Sequence, residues 1–164
     1  MLSRLDSRLL YVMRTRLHGP AAERLGKGLG TLGEYGWIWL ALGVILALAD
    51  SDDRDAWLIA GALGPVAVGI NFAVKLAVRR PRPVLEGLPP LGGAPSSLSF
   101  PSAHATSSFA CATAMTRIAP EAAVLFALAA GLAACRPYLG MHYPSDVIGG
   151  ALIGAGLGLL VPLP

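Results

Sequence analysis

Three short stretches concentrate the side chains able to do chemistry: Lys75 with Arg82-Pro83, then Pro101-Ser102-Ala103-His104, then Arg136 with His142 and Asp146. Together they supply three cations, two imidazoles and one carboxylate. That set suits a phosphoryl group, because Lys and Arg neutralise nonbridging oxygens and a planar guanidinium can bind two at once. Ser102, Ala103 and His104 are expected to open a helix, whose free backbone N–H groups and positive dipole end would add to an anion cradle. One imidazole can attack phosphorus while the other delivers a proton to the leaving oxygen. Asp146 follows His142 by four residues. The intervening Tyr143-Pro144 step reads as a loop entering a helix, which lets the carboxylate reach the distal ring nitrogen and fix the tautomer.

Such groups are scarce in this chain. Of its 164 residues, 54% are hydrophobic and 14% charged, against roughly 25% charged in an ordinary soluble domain. A bilayer accounts for that deficit, and ionisable residues retained inside a membrane protein mark function. The net charge of +3 does not indicate nucleic acid, since no basic run is interleaved with exposed aromatics. The 20 Gly and 13 Pro sit among Ala, Leu and Val, which argues for packed helices and loops and against disorder. Cys111 and Cys135 lie in apolar stretches and read as buried thiols without a disulfide framework. The length implies a single domain, residues 1–164.

The elements that must position the polar stretches follow from hydrophobic patterning. Residues 3–17 place Leu5, Leu9, Val12 and Leu17 near helical spacing, with Arg4, Arg8, Arg14 and Arg16 elsewhere around the wheel. That is the pattern of an amphipathic helix lying on a membrane surface. A cleaved signal peptide is not expected, because the first strongly apolar run begins only near residue 35. Five apolar segments follow, at 34–49, 56–78, 103–118, 121–136 and 145–161. They predict an all-α integral membrane fold with about five transmembrane helices after the surface helix. Several fall short of the ~20 residues of a comfortable span, which is tolerable where helix ends line a water-filled cavity. Tyr35, Trp37, Trp39 and Trp57 stand where interfacial aromatics are expected. Gly150, Gly154 and Gly158 form a stripe that permits close helix contact, either within the chain or with a second copy in a homo-oligomer.

Tracing the segments across the bilayer puts all three polar stretches on one side. Eleven of the 13 Lys and Arg lie there, all but Arg54 and Arg117. The positive-inside rule therefore places that side, with the N-terminus, in the cytoplasm of a multi-pass inner (plasma) membrane protein.

The three stretches resemble the tripartite signature of the type 2 phosphatidic acid phosphatase family, integral-membrane lipid phosphatases related to vanadium haloperoxidases. The family pattern is K-x6-RP, PSGH and SR-x5-H-x3-D, and this chain is similar to it from Lys75 to Asp146. Ala103 stands where the family has glycine, and Cys135 where it has the serine before the arginine. Arg80-Pro81 is a second RP pair, but Arg82 keeps the six-residue spacer. The resemblance implies that His142 is the nucleophile and forms a phosphohistidine, that Asp146 orients it, and that His104 protonates the leaving alcohol and then activates water. Lys75, Arg82, Ser102, Ala103 and Arg136 would hold the phosphate. No metal or other cofactor is implied. The partner would be a lipid phosphate held in the bilayer, with a polyprenyl-linked phosphate such as decaprenylphosphoryl-5-phosphoribose favoured. Phosphatidic acid, phosphatidylglycerol phosphate and undecaprenyl diphosphate are the alternatives. A catalytically idle lipid-binding or transport protein of the same fold is the alternative class, against which the intact His142, His104 and Asp146 weigh.

Other features read as structural. His18, beside Gly19-Pro20, is a lone imidazole. The run Gly28-Leu29-Gly30-Thr31-Leu32-Gly33 fits GxGxxG but has no preceding strand, so it reads as a flexible connection to the first span rather than a dinucleotide site. Zinc on His104, His142 and Asp146 has suitable ligand types, but the surrounding cations would repel it. Arg79 and Arg80 suit either lipid headgroups or substrate. Residues 84–100 carry one charge, Glu86, and form either a connector or a lid dipping into the interface.

Overall fold

The helix at the centre of the molecule is built almost entirely from small residues. In the computed structural model, which describes residues 2–16, 18–92 and 98–164, this helix spans Ala103–Ile118 and is buried over most of its length. Its hydroxyls can be buried because they bond back to their own helix. Thr106 donates to the Ser102 carbonyl at 3.0 Å, Ser107 to Ala103 at 3.0 Å and Thr116 to Ala112 at 2.8 Å. In chain order the helices are α1 (Leu2–Arg16), α2 (Pro20–Leu32), α3 (Trp37–Ala49), α4 (Arg54–Val78), α5 (Ala103–Ile118), α6 (Leu125–Tyr138) and α7 (Pro144–Leu160). Short 3-10 turns precede α3 and α6. Helices α4, α6 and α7 surround α5, and α3 packs along α4.

Two glycine seams bring these helices together. On α7, Gly150, Gly154 and Gly158 are buried against α5, and a Cβ added at Gly150 would lie 2.7 Å from the Ser102 carbonyl oxygen. The stripe is therefore spent inside the chain, under α5, and offers no face to a second copy. On α3 and α4, a Cβ at Gly43 would sit 2.7 Å from the Cα of Gly61. Contacts this close gain dispersion energy where both surroundings are apolar.

The helical expectation holds, with corrections. Among the described residues, α4 and the Pro120–Tyr138 stretch are long and apolar enough to cross a membrane, giving two spans, or three if α2 and the following Glu34–Ala49 stretch, bent by 49°, act as one. The five predicted spans are therefore not carried by helix length: α5 has 16 residues and α7 has 17. The Gly28–Gly33 run is not a flexible connection, because residues through Leu32 belong to α2. The turn comes afterwards, at Tyr35 and Gly36, with positive φ of 54° and 73°. A Cβ at Gly36 would press on the Gly64 backbone.

Of the four expected interfacial aromatics, Tyr35 and Trp37 are exposed, but Trp39 and Trp57 are buried. Their indoles found internal partners, Ser108 for Trp39 and Asp50 for Trp57, each at 3.0 Å. On α1, Leu5, Leu9 and Val12 face outward as expected, and Leu17 lies outside the described residues. The face turned to the protein is Asp6, Leu10 and Arg14, spaced one turn apart and all buried. Arg14 was expected among the outward polar residues; instead it donates to the Pro89 carbonyl in the α4–α5 loop.

Candidate active site

The four helices around the core deliver their polar ends to one end of the bundle. Lys75 sits in the last turn of α4 and Arg136 in that of α6, while His104 and Asp146 sit in the first turns of α5 and α7. Arg82 and His142 come from the loops between them. A cavity of about 260 Å³ opens there, walled by Lys75, Arg82, Ala103, His104, Arg136 and His142, together with Gly33, Glu34, Tyr35 and Val68.

Lys75, Arg82, His104 and Asp146 are each held from behind. Lys75 donates its ammonium to the Leu98 carbonyl at 2.7 Å. Arg82 donates to the Met141 carbonyl at 2.6 Å and lies 3.3 Å from His142 Nε2. Because a guanidinium only donates, Nε2 accepts, which assigns the ring proton of His142 to Nδ1. That nitrogen faces Asp146 Oδ2 across 3.6 Å. The same carboxylate oxygen accepts the Tyr143 backbone N–H at 2.8 Å, and the other accepts from Arg80 at 2.7 Å. His104 lies 2.8 Å from the Gly30 carbonyl through Nε2. A carbonyl can only accept, so Nε2 carries the proton and Nδ1 is the nitrogen left to exchange one.

Among the described residues, three site atoms are buried without a hydrogen-bond partner, Ser102 Oγ, Arg136 Nε and His142 Nδ1. His142 Nδ1 faces Asp146 at 3.6 Å, too long for a hydrogen bond, and an oxyanion would satisfy donors of the other two kinds. Ser102 itself is fully buried at the start of α5, behind the cavity wall formed by Ala103. Electrostatics favour an anion and a neutral nucleophile. Burial pushes His142 down to about 4, with Arg82 adding to the effect and Asp146 opposing it. Burial and then Arg136 lower Arg82 to about 10, which leaves it charged at neutral pH.

The structure thus brings together every residue singled out from the motifs, with Asp146 and Ser102 behind the wall. Of the two RP pairs, Arg82 is on the wall and Arg80 is not. Arg80 does not line the cavity; it is bound between Asp6 and Asp146. Arg79 caps α4 in a left-handed conformation and is exposed. His18 stacks on Tyr138 with centroids 4.8 Å apart.

The sequence reading missed Gly30, Gly33 and Glu34. A Cβ at Gly33 would lie 2.6 Å from His104 Cδ2, and one at Gly30 would lie 3.2 Å from Arg136 Nη1, so the dismissed glycine run is what lets α2 press against the site. A second, more polar hollow of about 280 Å³ shares Glu34 and Arg136 with the first and adds Lys27, Thr31 and Gly92. The 84–100 loop is anchored on both sides of residues 93–97, by Leu91 N–H to the Leu139 carbonyl at 3.0 Å and Ser99 N–H to the Arg80 carbonyl at 2.8 Å. Whether it acts as a lid turns partly on residues 93–97, which lie outside the described residues.

Helices meeting end-on at a cationic pocket with two imidazoles define a membrane phosphatase of the kind the motifs suggested. The chain belongs to the PAP2 superfamily, whose family model matches residues 55–163. It is 41% identical over 153 residues to a decaprenylphosphoryl-5-phosphoribose phosphatase of Mycobacterium tuberculosis, covering 93% of this chain and 86% of that one. It is 32% identical over 134 residues to the undecaprenyl-diphosphatase BcrC of Bacillus subtilis, covering 77% and 68%. Its fold is similar to the crystal structure of Aquifex aeolicus LpxE, with a TM-score of 0.75 at 23% identity over 93% and 92% of the two chains. The chain is a phosphoric ester hydrolase of the PAP2 lipid phosphatase type.

Proposed function

We propose that this enzyme removes a terminal phosphate from a polyprenyl-linked phosphoribose through a phosphohistidine on His142. The observation that carries the mechanism is the shared wall of Lys75, Arg82, Arg136, His104 and His142, with Asp146 behind the nucleophile. The three cations take the nonbridging oxygens, and Arg82 leaves His142 Nε2 for the phosphate as it enters. Nε2 then attacks phosphorus and the P–O bond to the alcohol breaks. His104 must enter as the imidazolium: the departing oxygen takes its Nδ1 proton while Nε2–H stays on the Gly30 carbonyl. The Nδ1 proton of His142 stays directed at Asp146, which stabilises the imidazole as charge develops. In the second step His104 accepts a proton from water, the hydroxide oxygen attacks phosphorus, and the P–N bond breaks. Inorganic phosphate leaves and neutral His142 returns.

No step draws on a metal. Phosphate release from lipid phosphates in detergent should continue in EDTA and fall at least a thousandfold in His142→Ala, in line with removal of a nucleophile in other covalent hydrolases. Full activity in that variant would falsify the mechanism.

The substrate reading is supported by the similarity to the mycobacterial phosphatase and by the adjoining polar hollow. Glu34 and Thr31 there suit sugar hydroxyls, and Lys27 suits the phosphodiester that joins sugar to lipid. The BcrC similarity favours undecaprenyl diphosphate as the second reading. A panel of both lipids decides, since Glu34→Gln should raise KM for the phosphoribose lipid and leave KM for the diphosphate unchanged. The charge asymmetry supports a cytoplasm-facing site, with the surface helix α1 lying on that side of the inner membrane.

A further inference from the structure

Asp6 lies on the first helix, far in sequence from every motif, yet it is buried and both its oxygens are committed. Oδ1 accepts the Ser145 backbone N–H at 3.0 Å. Oδ2 accepts from Arg80 Nη2 at 2.9 Å and from the Ser145 hydroxyl. Ser145 is the second residue of α7, and its N–H is one of the donors that a helix start leaves without an internal acceptor. Asp6 therefore caps α7 from another helix, one residue before Asp146.

Arg80 closes the connection. Its Nη1 reaches Asp146 Oδ1 and Ser145 Oγ, each at 2.7 Å, while Nη2 holds Asp6 and the guanidinium lies 4.2 Å above the Tyr143 ring. A planar fork can join two carboxylates in fixed relative positions, which a lysine ammonium cannot do. Asp146 Oδ1 is thus spoken for, and Oδ2 is left to face His142 Nδ1. Burial would raise the Asp6 pKa, but the hydrogen bonds from Arg80 and Ser145 outweigh it and hold the carboxyl below its ordinary value. It stays ionised throughout the neutral range.

We propose that Asp6 and Arg80 are positioning residues for the nucleophile: α1 sets the start of α7 and, through Arg80, the orientation of Asp146 and of the His142 ring. This rests on the reading of His142 as nucleophile. Neither residue lines the cavity, so phosphate binding by Lys75, Arg82 and Arg136 is left intact. A displacement of about 1 Å at a reacting group costs on the order of a hundredfold in rate. Removing the Asp6 charge should therefore lower kcat with little change in KM.

The test uses Asp6→Asn, which keeps the shape but turns an amide N–H₂ toward Arg80 or Ser145. Full-length protein in detergent, assayed well below its melting transition, should lose roughly ten- to a hundredfold in kcat with KM within twofold; the lost cap lowers the melting temperature as well. On an Arg80→Lys background, which has already lost the bridge, Asp6→Asn should cost less than twofold more in kcat. A merely structural Asp6 would instead multiply its effect on kcat with that of Arg80→Lys or raise KM together with the fall in kcat, and either result overturns the proposal, as does wild-type kcat. If Asp6→Asn does not fold, Ser145→Ala removes the hydroxyl arm of the same network and should reproduce the kcat loss at constant KM; unchanged kcat there also overturns it. His142→Ala run alongside separates the two ideas: an inactive His142→Ala with an unaffected Asp6→Asn refutes only the positioning role, whereas an active His142→Ala refutes the mechanism beneath it.

Discussion

At His142, burial and a neighbouring guanidinium act in the same direction, and their effect appears in the pH dependence. A nucleophilic imidazole must be unprotonated, and a pKa lowered to about 4 keeps it so until the pH falls that far. The acidic limb of kcat/KM should lie well below the ordinary histidine value of about 6.5, after allowance for the substrate's own ionisation near pH 6. A limb centred at 6.5 or above counts against it. The two arginines separate by kinetics. Arg82→Ala should raise KM and lower kcat together, because Arg82 stands on the phosphate wall. Arg80→Lys should lower kcat alone. Motif spacing located Lys75, Arg82, His104, Arg136, His142 and Asp146, because five of them share one small cavity and Asp146 stands directly behind His142, so the chemistry limits the residue types. The task of Arg80 was not legible, since it depends on a carboxylate 74 residues away, and neither was that of Gly30, whose contribution is a backbone carbonyl.

At the level of helices, periodicity found nearly every element, while the direction each face points was harder to read. On α1 the apolar stripe was visible, but the face packed on the protein is the one bearing Asp6 and Arg14. Buried ionic groups look like solvated ones until their partners are known. The glycine stripe on α7 was visible too, and only the packing shows that α5 occupies it. Its consequence is measurable: a Cβ at Gly154 would collide with the Thr106 carbonyl, whereas one at Gly156 would meet nothing within 4 Å. Gly154→Ala should therefore cost roughly 1–3 kcal/mol from overpacking, read as a lower unfolding temperature in detergent, and should reduce activity by separating His104 from Asp146. Gly156→Ala should be close to neutral in both.

For the whole molecule, the net charge of +3 hides a strong polarity along the bundle. The end away from the site carries Asp50, Asp52, Asp53, Asp55 and Glu121 against Arg54 and Arg117, and the site end carries the other eleven bases. A cytoplasm-facing site predicts that a cysteine at Glu86 stays unlabelled by an impermeant thiol reagent in intact cells and reacts after permeabilisation. The native Cys111 and Cys135 are buried and leave that readout clean. Strong labelling of intact cells would reverse the orientation. The contact between Asp6 and Ser145 spans 139 residues of chain. Because α1 precedes α7 in the chain, α1 is synthesised well before the helix it caps. On the positioning proposal, the support of the nucleophile is thus assembled from segments made at quite different times, and Asp6 has nothing to cap until α7 has formed.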